Sequence, residues 1–198
     1  MDIASLLAEL RSYLTATFAL VDTWFDQPAA QRAYRPADLG WTTDELLAHI
    51  GLANYFLLIL IQKGTAKALA NTQARDLATE LAHYQFPAEK MAAIGVLHAF
   101  EWVRPAHMEP HHNQRSLPAL RQQLRDQQQQ ALDTLDELPN GEGLLYQTTM
   151  SVHDLGKLNV YEYLYFLALH ARRHLTQMQE NKAEFMAATP AASPSATP

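Results

Sequence analysis

The chain has 198 residues, 48% hydrophobic and 18% charged, with a formal net charge of −6 and no cysteine. That length and apolar content suit one globular domain and exclude a disordered chain, while the acidic balance offers no broad basic field to phosphate backbones, so no nucleic acid is expected as a partner. Without cysteine there are neither disulfides nor thiolate ligands, and any metal site has to be built from imidazoles and carboxylates.

The first residues, MDIASLLAEL, carry an acid at position 2, where a secretory leader would place a basic segment ahead of an uncharged apolar run. Ile3, Leu6, Leu7, Leu10, Leu14, Phe18, Val21 and Phe25 keep the three/four spacing of one helix face. A helix is therefore expected from Ile3 to about Phe25, with Thr17 weakening the edge of its stripe. Pro28 ends it, and Arg35-Pro36 keeps the following segment extended. A second helix has a clear start, because Thr42 and Glu45 form a capping box behind Trp41 as a hydrophobic staple. Its stripe reads Leu46, His49, Ile50, Ala53, Leu57 and Leu60, and Lys63-Gly64 is expected to close it. The most apolar run, Leu52 to Ile61, is about half of what spans a bilayer and contains Asn54, so no membrane is expected and the plain reading is a soluble cytoplasmic protein.

Residues 65 to 116 are less regular. They are expected to hold short helices near Thr72 to Tyr84 and Ala88 to Phe100, then a Pro/His-rich loop from Arg104 to Gln114. A third long helix should start at Ser116, with Pro118 in its first turn, and present Leu117, Leu120, Leu124, Ala131, Leu135 and Leu138. Pro139-Asn140-Gly141 stops it, and the run Gln127 to Gln130 inside it reads as a solvated face. Gly141 to Gly156 is a connector with room for short extended pieces, and Asn159 is a good N-cap for a fourth helix. From Ala187 only Ala, Pro, Ser and Thr occur, so residues 1–186 are expected to form the domain and 187–198 a disordered tail. The pattern implies an all-α four-helix bundle with short extra helices between the second and third long ones.

The chemistry concentrates between Asn159 and Glu180. On the stripe Val160, Leu164, Leu167, His170, His174 and Met178, two imidazoles stand four residues apart, about 40° around the helix and roughly 6 Å along it. His49 stands on the inward stripe of the second helix. Burying imidazoles without partners is unfavourable, and a divalent metal is the commonest partner that uses several at once. Three neutral nitrogens with one open position describe a catalytic-type site for zinc or a similar ion, whereas structural zinc is usually closed by four ligands. The competing reading makes each a core histidine hydrogen-bonded to a carbonyl or to Tyr161, Tyr163 or Tyr165.

The motif reads HARRH, with Ala171 where a zinc protease places its glutamate, so peptide hydrolysis by that route is not supported. Arg172 should face away from the pair and Arg173 flank it, both solvated or paired with acids, with anionic-substrate binding as the other reading. His107, His111 and His112 sit in a Pro-flanked loop without a rigid frame, and His83, His98 and His153 are expected in surface or capping roles. No nucleophile elbow, P-loop or dinucleotide fingerprint occurs.

Two segments, GWTTDELLAHIGLANYFLL and LGKLNVYEYLYFLALHARRHLTQMQE, resemble the DinB-like (DinB/YfiT-like) superfamily. The resemblance covers most of residues 1 to 185, strongly in those two segments and elsewhere by length and pattern. It implies a four-helix bundle, a divalent metal (often zinc or nickel) held by His49, His170 and His174, and frequent homodimers. Characterised relatives include bacillithiol transferases and a mycothiol-dependent maleylpyruvate isomerase, so the resemblance points to a small-molecule substrate and a low-molecular-weight thiol. The expected function is metal-dependent thiol S-transfer to an electrophile, with hydrolysis by activated water as a near variant. The alternative is a non-catalytic metal-binding or dimerisation bundle. Many relatives carry an acidic residue about one turn after the first histidine, where this chain has Asn54 and Tyr55.

Overall fold

The computed structural model describes residues 2–102, 108–110 and 116–189. Four long helices carry the fold: α1 (Ile3–Thr23), α3 (Thr43–Ala70), α6 (Leu117–Glu137) and α7 (Val160–Ala188). Shorter ones are α2 (Ala29–Arg32), α4 (Leu77–His83) and α5 (Ala88–Ala92). Strands β1 (Gln147–Met150) and β2 (Gly156–Asn159) pair as an antiparallel hairpin in the connector where extended pieces were expected.

Each long helix starts where side chains satisfy its first free N–H groups. Asp2 accepts from Ser5 N at 3.2 Å, and Ser116 Oγ accepts from Ala119 N at 3.4 Å. The expected capping box of α3 forms, Glu45 N donating to Thr42 Oγ1 at 3.2 Å and Thr42 N to Glu45 Oε2 at 2.8 Å. A second box starts α7, between Asn159 and Glu162, where the sequence pointed only to Asn159 as a cap. Burial raises the Glu162 carboxyl above its ordinary pKa, opposed by the Asn159 N–H and by Tyr84, whose hydroxyl donates to Oε1 at 3.1 Å.

The helices form a ring in the order α1, α7, α3, α6, each packing on its two neighbours. Tyr13 lies against Tyr165 and Lys182 over Trp24, so α1 and α7 run parallel. Arg11 pairs with Asp136 and Arg121 with Asp22 and Asp26, so α1 and α6 run antiparallel. Gly64 meets Val160 while Asn181 Nδ2 donates to Trp41 O at 2.8 Å, so α3 and α7 are antiparallel.

Several sequence expectations are corrected. The second long helix does not close at Lys63-Gly64 but continues to Ala70. Gly64 is buried, and a Cβ there would stand 3.2 Å from Val160 Cγ2, so this glycine serves the close approach of α3 to the first turn of α7 instead of a helix end. At this length α3 is apolar enough to cross a membrane, yet 61% of its most apolar window is buried in the bundle, the composition a central helix also needs. Leu60, expected on its inward stripe, is exposed, and Leu58 and Ile61 are buried instead. Gln127 is buried as well, donating from Nε2 to Gly51 O at 2.8 Å, so the glutamine run is not wholly a solvated face. Thr17, placed at the stripe's edge, is fully buried.

Three boundaries also shift. The first helix turns into a 3-10 segment at Trp24–Asp26, the helix expected near Thr72 starts only at Leu77, and α5 stops at Ala92 before a 3-10 turn over Ala93–Gly95. The last helix runs to Ala188, two residues past the expected domain end, and the tail from 190 lies outside the described residues.

The core is one continuous cluster, with Leu14, Leu46, Ile50, Tyr161, Leu164 and Leu167 fully enclosed. Tyr161 donates to Leu138 O at 2.7 Å and accepts from Gly143 N at 3.2 Å. A Cβ at Gly143 would meet three atoms of that ring at 2.7, 2.8 and 3.1 Å. Gly143→Ala therefore overpacks a site where the ring is tethered at its far end, and should destabilise the fold by about 1–3 kcal/mol, read as a lowered urea midpoint with unchanged slope.

Candidate metal centre

Three imidazoles meet inside the bundle. His170 Nε2 lies 3.3 Å from His49 Nε2 and 3.2 Å from His174 Nε2, with one ligand atom from each residue within 4.8 Å of the others. All three residues are buried. His170 and His174 share one face of α7, and the antiparallel neighbour α3 supplies His49 from the opposite side.

The outer nitrogens of two rings are engaged. His49 Nδ1 lies 2.7 Å from Met108 O, which can only accept, so Nδ1 carries the proton and Nε2 presents a lone pair. His174 Nδ1 lies 3.2 Å from Gln177 Oε1, which selects the same tautomer. Two lone pairs thus face His170 Nε2, the convergence that a cation shared by the three rings uses. A shared cation satisfies all three. A tetrahedral ion with Zn–N bonds of about 2.0–2.1 Å holds its nitrogens about 3.3 Å apart, the spacing found here on both sides of His170. The donor set, three neutral imidazoles, suits zinc, nickel or another borderline divalent ion. Burial, reinforced by repulsion from His174, His49 and Arg173, holds the His170 imidazole well below its ordinary pKa, so it is neutral at pH 7.

The centre opens on a cavity of about 520 Å³, within the range of small-molecule sites. Phe56, Leu57, Met150 and Phe166 supply much of its apolar wall. Trp41, expected as a helix staple, lies against the His49 ring with centroids 4.7 Å apart, and Trp102 lies 5.8 Å from the His170 ring. Arg173 also lines the cavity, which corrects the expectation that it would be solvated or paired with an acid: its Nη1 donates to Val96 O at 2.7 Å, and its guanidinium stands 5.0 Å over the Trp102 ring. Burial lowers its pKa from the ordinary value. Arg172 is exposed, as expected.

The other described histidines stay out of the centre. His83 bonds through Nδ1 to Thr79 O at 2.8 Å in the last turn of α4, and His153 stacks on Phe100 at 4.1 Å. His98 is exposed at the cavity rim, 3.8 Å from Glu180. His107, His111 and His112 lie outside the described residues. Asn54 is fully buried, and among the described residues it has no hydrogen-bond partner and is off the cavity wall.

Sequence reasoning missed Met108, Trp102 and Gln177. Gln177 alone left a local signal, three residues after His174 on one helix face, whereas Met108 O and Trp102 arrive from a segment with no periodicity.

The family model for the DinB superfamily matches residues 6–178, most of the chain, and the chain belongs to that superfamily. No curated protein and no solved structure gives a match to it.

One divalent ion per chain should be found by elemental analysis of untagged protein, and His170→Ala should abolish it. Gln177→Leu frees the His174 ring and should weaken metal affinity roughly 10–100-fold in a competition titration. In metal-free protein the unfolded state takes up a proton at His170 near pH 6.5 while the folded state does not, so stability should fall as pH drops below that value. A melting temperature level between about pH 7.5 and 5 would contradict the buried neutral imidazole.

Proposed function

We propose that this DinB-superfamily bundle holds one divalent cation, zinc or nickel, at His49, His170 and His174 and acts on a small molecule admitted to the adjoining cavity. The reaction proposed is transfer of a low-molecular-weight thiol to an electrophilic carbon. The observation that carries the reading is the placement of three convergent Nε2 atoms on the wall of a cavity of about 520 Å³. Three ligands with one side facing a cavity suit a reactive centre, whereas a structural zinc is usually closed by four protein ligands.

A divalent ion bound there supplies Lewis acidity, which favours the anionic form of a thiol or a water at neutral pH. The chain's own contribution is orientation and an apolar surrounding. Met108 O and Gln177 Oε1 hold two rings with their inner nitrogens pointing inward, and apolar side chains make up much of the wall beside them. Ala171 is fully buried and offers no carboxylate in the place of a zinc-protease glutamate. Among the described residues no Asp or Glu lines the cavity. This favours a reaction in which the thiol anion attacks directly over one that needs a carboxylate base. The thiol proton goes to solvent, a carbon–sulfur bond forms, and the leaving group departs with its electron pair.

A second reading follows from the same geometry. The ligands come from two helices, so a bound ion also ties α3 to α7 and could serve stability alone. Conjugation of a low-molecular-weight thiol to 1-chloro-2,4-dinitrobenzene separates the two. Catalysis predicts a rate that chelation removes, that zinc or nickel restores, and that His170→Ala lowers by more than about a hundredfold. A rate unchanged after complete metal removal would falsify the catalytic reading, and a melting temperature lowered in His49→Ala with no thiol transfer in the parent protein would assign the ion to structure.

A further inference from the structure

The cavity next to the three histidines is uneven in its chemistry. Its wall is apolar and aromatic over most of its extent, and among the described residues it contains no Asp or Glu. The fixed charge it does contain is Arg173, and no carboxylate of the described residues pairs with that guanidinium. Arg173 is not a loose surface side chain. Nη1 is pinned to Val96 O at 2.7 Å, and the guanidinium carbon stands 5.0 Å from the Trp102 ring centroid and 5.9 Å from that of Phe100. Holding a cation half-buried among aromatic groups without a counter-ion is costly, and its remaining N–H groups still need acceptors.

The same wall is short of acceptors in a second respect. Among the described residues Trp102 Nε1 is buried with no acceptor, and so is His170 Nδ1, which carries the proton whenever Nε2 faces an ion. Arg173 adjoins His174 in the chain, so an anion bound to its guanidinium is held beside the imidazole cluster with the apolar wall behind it.

From this placement we infer that the cavity takes a small carboxylic acid with an apolar body, its carboxylate bound by Arg173 and its body lying against Phe56, Leu57, Met150 and Phe166. The inference rests on the cavity being a small-molecule site, as in the function proposed above, and it names the chemical class of the electrophile. A planar guanidinium with free donors matches a carboxylate in a paired, directional way that an ester or an amine cannot reproduce.

The test is binding, not turnover, so it stands apart from the thiol-transfer reading. 4-Phenylbutyrate, its methyl ester and 4-phenylbutylamine are titrated calorimetrically into full-length metal-loaded protein and into chelator-treated protein. The acid should bind at least about tenfold more tightly than the ester or the amine in both forms, the size expected of a charge-assisted hydrogen bond. Arg173→Gln should remove that preference, and Arg173→Lys should retain part of it. Arg172→Gln, which makes the same change in net charge on the exposed side, should leave it intact. Metal content and circular dichroism of each variant report whether the site is still built. The inference is overturned if acid, ester and amine bind alike, if none binds, or if Arg172→Gln costs as much as Arg173→Gln. Affinity that survives Arg173→Gln but vanishes on chelation would place the carboxylate on the ion and overturn it equally.

Discussion

The packing of α3 against α7 is pinned at two levels, and the histidine cluster lies between them. At one end Gly64 lets the helix backbones approach until Val160 fills the space a Cβ would need. At the other, Asn181 reaches across to the carbonyl of Trp41, just ahead of α3. These two contacts set the register that places His49 opposite His170 and His174. A shift of one residue on either helix rotates a side chain by about 100° and would turn an imidazole out of the cluster.

Around that register the polar groups fall into two kinds. Some are closed locally, such as the capping boxes at Thr42 and Asn159. They define helix ends while leaving little buried polarity unmet. Others are closed only across the bundle. Gln123 and Gln127 of α6 both donate to Gly51 O, and Arg121 grips Asp22 of α1 and Asp26 of the 3-10 turn after it, holding the Asp22 carboxyl far below the usual carboxylate range. The exposed ion pairs add little stability individually, but the paired geometry at Arg121 directs α6 onto α1.

The centre combines both kinds of constraint. Its ligands are presented by rigid helices, which hold geometry better than loops do, while the ring orientations depend partly on Met108 from an irregular segment. The cavity wall is shared: α3 and α7 add Phe56, Leu57 and Phe166, while the chain between the long helices adds Trp102, Met150 and Val152. Superfamily membership accords with the bundle and the histidine set, whereas a preference among substrates would be set by the side chains of the cavity wall.

The sequence alone determined the four amphipathic helices, most of their inward faces, the Thr42 capping box and the three histidines, because 3.6-residue periodicity and capping chemistry act over a few residues and leave their mark in the chain itself. It misplaced the end of α3 because a glycine that permits close packing is indistinguishable, in one dimension, from a glycine that ends a helix. Gln127 was misjudged for the same reason, since its acceptor lies on another helix. The distance between His49 and His170, the tautomer chosen by Met108, and the place of Arg173 against Val96 and Trp102 in the cavity all join residues remote in sequence. Only tertiary packing could decide them, because no local rule records which faces of which helices will meet.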